Sequence, residues 1–141
     1  MKDILFQSIN NDLIAQCHQL NEENIPNVGS RSLEGLTNSL ENSDYSECVI
    51  IDNFVVGFVI CFQDSEITKS YMEKIEHKNF KEISNRVSNF LYIDRIAVNA
   101  KYRNKNLGSQ LYSNIINFSK DNSISNLTAE INLLPSVNIP S

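Results

Sequence analysis

The chain is short of the residues that mark several protein classes. Its three cysteines, Cys17, Cys48 and Cys61, are odd in number and lack paired spacing, so they do not describe a disulfide framework. Each lies among apolar neighbours, where a free thiol behaves as a small hydrophobe; buried, reduced cysteines in a cytoplasmic protein are expected. There are two histidines, His18 and His77, neither with a cysteine or carboxylate at ligand spacing, and no metal site is predicted. The longest apolar run, Phe54–Phe62, is far too short to span a bilayer. The first ten residues, MKDILFQSIN, hold no apolar stretch of signal-peptide length. Basic residues are outnumbered, 12 against 17 acidic, for a net charge of −5. Neither nucleic acid nor membrane is therefore an expected partner. No repeat and no low-complexity tract is found.

What remains is an ordinary globular composition, 41% hydrophobic and 21% charged. The 141 residues suit one domain, 1–141, large enough to bury a core. A short strand is expected at Ile4–Phe6. Asn10 or Asn11 can cap a helix in which Leu13, Ile14, Cys17 and Leu20 recur at helical spacing. That helix should end near Asn24, because Pro26 cannot continue it. Ser30 to Asn42 reads as a second helix with Leu33, Leu36 and Leu40 on one face. Cys48–Ile51 and Phe54–Phe62 read as a hairpin through Asp52-Asn53, two residues that tolerate the positive φ of a tight turn. The second of these strands is apolar on both faces and belongs inside the sheet.

Residues 64–89 form a polar, charged excursion, partly helical around 68–80. A strong strand follows at Phe90–Val98, then a loop over 99–107. Next comes a helix from Leu107 to Ser119 with Leu107, Leu111, Ile115 and Phe118 on its apolar face, and a last strand at Asn126–Leu133. Strand, helix and strand over 90–133 make a crossover unit with two parallel strands. The fold class is therefore α/β (α+β): a mixed, mostly antiparallel central sheet with one parallel pair and helices on both faces.

The segment Lys101-Tyr-Arg-Asn-Lys-Asn-Leu-Gly108 sits between that strand and helix. A helix start offers unpaired backbone N–H groups and a positive dipole end, a ready anion site. Lys101, Arg103 and Lys105 add cations to an otherwise acidic chain, and Gly108 lets a ligand approach the backbone. The loop lacks the glycines of a P-loop or a dinucleotide fingerprint. By strict alternation Tyr92, Asp94, Ile96 and Val98 share one face of the strand and Arg95 the other, an assignment that a bulge would reverse beyond it.

FLYIDRIAV followed by Tyr102-Arg103-Asn-Lys-Asn-Leu-Gly108 and a helix resembles the acyl-CoA-binding motif of the GNAT N-acetyltransferase superfamily, whose loop reads Arg/Gln-x-x-Gly-x-Gly/Ala. Arg103 and Gly108 fill the end positions. Asn106 replaces the middle glycine, and asparagine also accepts positive φ. The resemblance extends to Leu20-Asn21, Pro26-Asn27-Val28-Gly29, Gly57-Phe58, Leu111-Tyr112, and Glu130-Ile131-Asn132 with Pro135 and Asn138, as in one bacterial subfamily of predicted acyltransferases.

The resemblance implies acetyl-CoA as co-substrate, with its pyrophosphate over Arg103, Asn104, Lys105, Asn106, Leu107, Gly108 and Ser109. Its pantetheine would run along Ile96, Ala97 and Val98, with Asn132 touching it. A backbone N–H at Ile96 or Ala97 would polarise the thioester carbonyl, and a primary amine would attack directly. Asp94 is the first candidate for base or acceptor contact, or else forms an ion pair with Arg95 or Arg86. Tyr92 and Glu130 are the other candidate acceptor contacts. The family's usual acid is a tyrosine on a helix that would follow Ser141, so the role is carried to no residue here. Without that helix and two final strands, strand 126–133 would be an exposed edge, and a homodimer covering it is expected. Two further readings stand beside the enzyme: a degenerate module that holds CoA without catalysis, and a plain α/β interaction domain.

Overall fold

A computed structural model of the protein describes residues 3–26 and 28–129. The elements are β1 (Ile4–Gln7), α1 (Ile14–Glu23), α2 (Leu33–Asn42), β2 (Tyr45–Ile51) and β3 (Phe54–Gln63), then α3 (Glu66–Lys74), α4 (Lys78–Arg86), β4 (Phe90–Val98), α5 (Leu107–Asp121) and β5 (Asn126–Ala129). The five strands form one sheet in chain order, antiparallel except for the β4–β5 pair.

The Asp52-Asn53 turn builds the centre of that sheet. Its residues have φ of 55° and 68°, and Ile51 faces Phe54 across it, the two-residue geometry whose twist matches the strands. β3 lies between β2 and β4, so every residue from Val55 to Phe62 is buried. β5 runs parallel to β4 from Phe90–Asn126 to Ile93–Ala129, joined by the α5 crossover. The remainder of the predicted last strand, 130–133, lies outside the described residues.

Helices cover both faces. On one, Cys17 and Leu20 of α1, Leu36 of α2, Met72 of α3 and Phe80 of α4 pack on Phe58, Ile60, Phe62, Phe90 and Tyr92. On the other, Leu107, Leu111 and Ile115 of α5 pack on Val49, Val59, Cys61, Leu91 and Ile93. Each fully buried aliphatic side chain contributes roughly 1.5–3 kcal/mol, enough for the two layers to fix the sheet between them.

Four local expectations are corrected. Asn10 does not cap α1: its Oδ1 accepts the N–H of Asp12 at 3.0 Å and turns the chain ahead of a helix that begins at Ile14. The second helix begins at Leu33 rather than Ser30, because Ser32 Oγ caps it by accepting the Gly35 N–H at 3.0 Å. Leu33 then falls on the exposed side, and Leu36 and Ser39 take the buried one. The excursion is two helices instead of one, broken at Glu76, whose φ is 55°. Ser65 Oγ caps α3 through the Thr68 N–H, and His77 Nδ1 caps α4 through the Phe80 N–H at 3.2 Å.

Candidate active site

Two features of β4 define a site. The first is at its C-terminal end. Residues Ala100–Lys105 make a 3₁₀ turn, Asn106 takes the left-handed conformation at φ 60°, and α5 begins at Leu107. The positive φ thus falls on Asn106 and not on Gly108, which is an ordinary helical residue. A Cβ at Gly108 would meet nothing within 4 Å, so the space above this helix start is open. Gln110 is the first α5 residue to bond back, to Asn106 O at 3.1 Å. The N–H groups of Leu107, Gly108 and Ser109 precede it and are the orphan donors of the first turn. Lys101, Asn104 and Lys105 are exposed around them. Arg103 ties the loop down: its Nε donates to Val98 O at 3.3 Å and its Nη2 to Asn24 Oδ1 at 2.9 Å.

That bond also orients the edge of β4. Asn99 donates its N–H to Val56 O on the β3 side at 2.8 Å, and Val98 O, taken by Arg103, points away from β3. Backbone groups alternate along a strand, so the Ile96 N–H shares the outward side with Val98, whereas Ala97 faces β3. Among the described residues, β5 pairs with β4 only as far as Ile93, which leaves the Ile96 N–H without a β5 partner.

The second feature is a bulge. Ile60 faces Arg95 and Cys61 faces Ile93, so Asp94 is the extra residue and the alternation reverses there. As a result Asp94 and Arg95 both reach toward the face covered by α1 to α4, where alternation alone had separated them. Asp94 is a hub, its side chain only 2% exposed. Its Oδ1 accepts from His77 Nε2 at 2.8 Å, and its Oδ2 from Arg95 Nε at 3.1 Å and Arg31 Nη1 at 3.3 Å. Arg86 takes no part; it pairs with Glu82 on the surface. His77 Nδ1 already accepts the Phe80 N–H, so the ring carries its proton on Nε2 and donates it to Asp94. Arg95 Nη1 donates to Asn21 Oδ1 at 2.7 Å and Gly29 O at 3.0 Å, which binds the segment before α2 to the bulge. Glu22 braces the same segment, accepting from Ser30 Oγ at 2.6 Å and from the Arg31 N–H at 3.0 Å.

Burial pushes the Asp94 carboxyl up, but the His77 hydrogen bond and the charges of Arg95 and Arg31 outweigh it and hold the carboxyl down at about 2. Both oxygens already accept hydrogen bonds, and a carboxylate so held has little tendency to take a proton from an amine. Tyr92 is fully buried, its ring set edge-on to those of His77 and Phe80, and it is out of reach of an acceptor. Glu130 and Asn132 lie outside the described residues.

Around the bulge opens a cleft of about 460 Å³, walled by Gly29, Arg31, Glu76, His77, Lys78, Asp94, Ile96 and Tyr112. Arg31, Glu76 and His77 gave no functional signal in the sequence beyond their charge, since only the folded excursion and the α1–α2 connection bring them to β4. The three cysteines are buried and free. Burial raises the thiols of Cys17, to about 12, and Cys48, to about 11, and pushes Cys61 further up. Among the described residues no cluster of three or more His, Cys, Asp or Glu could hold a metal, and no helix is long and apolar enough to cross a membrane.

A mixed sheet with a bulged strand, an open helix start at its end and a cleft beside the bulge make up the candidate site. The sequence model of the acetyltransferase (GNAT) family matches residues 14–138, and the chain belongs to that family. No curated protein matches it significantly in sequence. Its fold is similar to that of a ribosomal-protein-alanine N-acetyltransferase from Escherichia coli, with a TM-score of 0.68 and 12% identity, over 95% of this chain and 70% of that one. It is similar to an aminoglycoside N-acetyltransferase in complex with CoA (TM-score 0.69, 10% identity, 97% and 82% covered). It is also similar to the NatC complex bound to Gag peptide and CoA (TM-score 0.70, 15% identity, 95% and 77% covered).

Proposed function

We propose that the protein moves an acetyl group from acetyl-CoA to a primary amine. The observation that carries this reading is the pairing, on one strand, of an open helix start with orphan N–H groups and a cleft at the bulge. The pyrophosphate seats on the N–H groups of Leu107, Gly108 and Ser109, with Lys101 and Lys105 close in sequence. The pantetheine follows the outward edge of β4, and the Ile96 N–H polarises the thioester carbonyl. The amine nitrogen attacks the carbonyl carbon, the C–S bond breaks, and CoA leaves as a thiolate that takes a proton from water. The amine gives up its own proton to water or to Glu76, the exposed carboxylate of the cleft. Asp94 holds the cleft walls together through His77, Arg31 and Arg95. The buried, free thiols support a reducing compartment, the cytoplasm.

Calorimetric titration with acetyl-CoA and with CoA tests the reading. Binding in the micromolar range is expected, weakened at least about 100-fold by Gly108→Trp, whose ring would fill the open space over the helix start. Wild-type protein that takes up no CoA at millimolar concentration would sink it. A second reading, a module that binds CoA without turnover, is favoured by one observation: neither Asp94 nor Tyr92 is placed to take a proton. Tight CoA binding without acetylation of any amine would select it.

We also propose a homodimer through the α5–β5 side. Tyr112, Ile116 and Leu127 are each about two-fifths exposed, and Leu127 lies opposite Leu91, on the face that α5 covers. Tyr112 and Ile116 are one turn apart and so adjacent. A dimer mass by light scattering is expected at micromolar concentration, shifted toward monomer by Ile116→Glu. A monomer throughout that range would refute it.

A further inference from the structure

The cleft is more cationic than an amine should prefer. Arg31, Arg95 and Lys78 line it against Asp94 and Glu76, while His77 is held in its Nε2–H form. Within the buried network the surplus is plain, two guanidiniums against one carboxylate. Arg95 is buried, its side chain 5% exposed, whereas the Arg31 side chain is 21% exposed at the cleft wall. Its Nη1 carries all its hydrogen bonds, to Ser39 Oγ at 2.7 Å and to Asp94 Oδ2 at 3.3 Å. Among the described residues its Nε and Nη2 have no partner. These two nitrogens form the side-on edge of the guanidinium, whose parallel N–H groups match the two oxygens of a carboxylate or phosphate. The position is rigid: Arg31 is fixed at its backbone N–H by Glu22 and at its head by Ser39 and Asp94.

Building on the acetyl-transfer reading, we infer that the acceptor amine also carries an anionic group, a carboxylate or a phosphate, which seats on the free edge of Arg31. A plain amine would bring one more cation to a wall already in positive excess. An acceptor with an anion cancels its own charge, places its oxygens on Arg31 and leaves the ammonium near Glu76, which loses its proton before attack. Lys78, exposed on the same cleft, adds attraction for the same sign.

The test uses matched acceptors: a panel of α-amino acids and short peptides against their carboxamides, and O-phosphoethanolamine against ethanolamine. Acetylated product is measured by mass spectrometry, beside a calorimetric CoA titration of each protein used. The anionic member of a pair should exceed its neutral partner in kcat/KM by about tenfold or more, mainly through KM. Arg31→Gln should erase the preference while binding CoA as the wild type does. Arg31→Lys, which keeps the charge but not the fork, should retain part of it and decides the matter if the glutamine variant does not fold. The carboxylate and phosphate arms show which anion is meant. Equal or better use of the neutral partners, a preference that survives in Arg31→Gln, or CoA binding with no anionic amine acetylated would each overturn the inference while the CoA site stands. Absence of CoA binding would overturn both.

Discussion

Asp94→Ala should cost about 3–5 kcal/mol of folding free energy, a large share of a domain's whole margin, read as a fall in the urea midpoint. The change removes the sole carboxylate between two guanidiniums and strands the Nε2 proton of His77. Three pieces of chain lose their common anchor: the bulge, the segment before α2 and the turn between α3 and α4. Acid should produce the same failure in wild type. The Asp94 carboxyl sits at about 2 in the folded protein against an ordinary 3.8, so its contribution is complete above about pH 4 and is lost as pH falls toward 2. The shift corresponds to about 2 kcal/mol. In Asp94→Ala that pH-dependent component should vanish. A loss below about 1 kcal/mol would show that the network holds nothing together.

Leu111→Ala should destabilise the protein by about 2–5 kcal/mol and lower Tm by about 10 °C. Leu111 is fully buried between Leu107 and Ile115 in the layer where α5 meets the sheet, so its removal leaves a cavity among packed side chains. The effect is structural, yet it bears on ligand binding, because this layer fixes the helix start above which the phosphates would lie. A saturating ligand that binds only the folded form restores about 2.7 kcal/mol at 100 times its Kd. Acetyl-CoA should therefore recover much of the lost Tm in scanning calorimetry. A variant with wild-type Tm would mean that α5 is seated by other contacts.

How far these features could be read from sequence follows from the range of the interactions that make them. The hairpin was legible because Asp52-Asn53 sets its own φ angles, and β4 because FLYIDRIAV has no other comfortable conformation. The left-handed residue ahead of α5 was foreseen in Asn106, since that side chain tolerates it locally. The faces of β4 beyond Ile93 stayed open, because a bulge would reverse them and the sequence does not say where it falls. A bulge belongs to the pairing of two strands, and alternation predicted that Asp94 and Arg95 would diverge where they in fact converge. His77 looked like a stray residue in a charged tract. Its meaning depends on a break at Glu76 that makes it a helix cap, and on a partner 17 residues away. Arg31 meets Asp94 across 63 residues, a contact no local pattern announces. Tyr92 was offered as an acceptor contact on one face with Ile96 and Val98, but it packs under α1 to α4 while they lie on the α5 side. Phe80, whose ring stands edge-on to it, belongs to a helix the sequence did not resolve.

The burial of all three cysteines has a practical consequence at the bench. Disulfide dyes react with thiolates, and thiols that are buried and hard to ionise offer them none. If the proposed acetyl transfer runs, colour from such a dye in a reaction mixture would therefore count the CoA set free, with little background from the folded protein. Denaturing the sample at the end would add three equivalents per chain, so one cuvette would report both how much chemistry was done and how much of the protein was intact to do it.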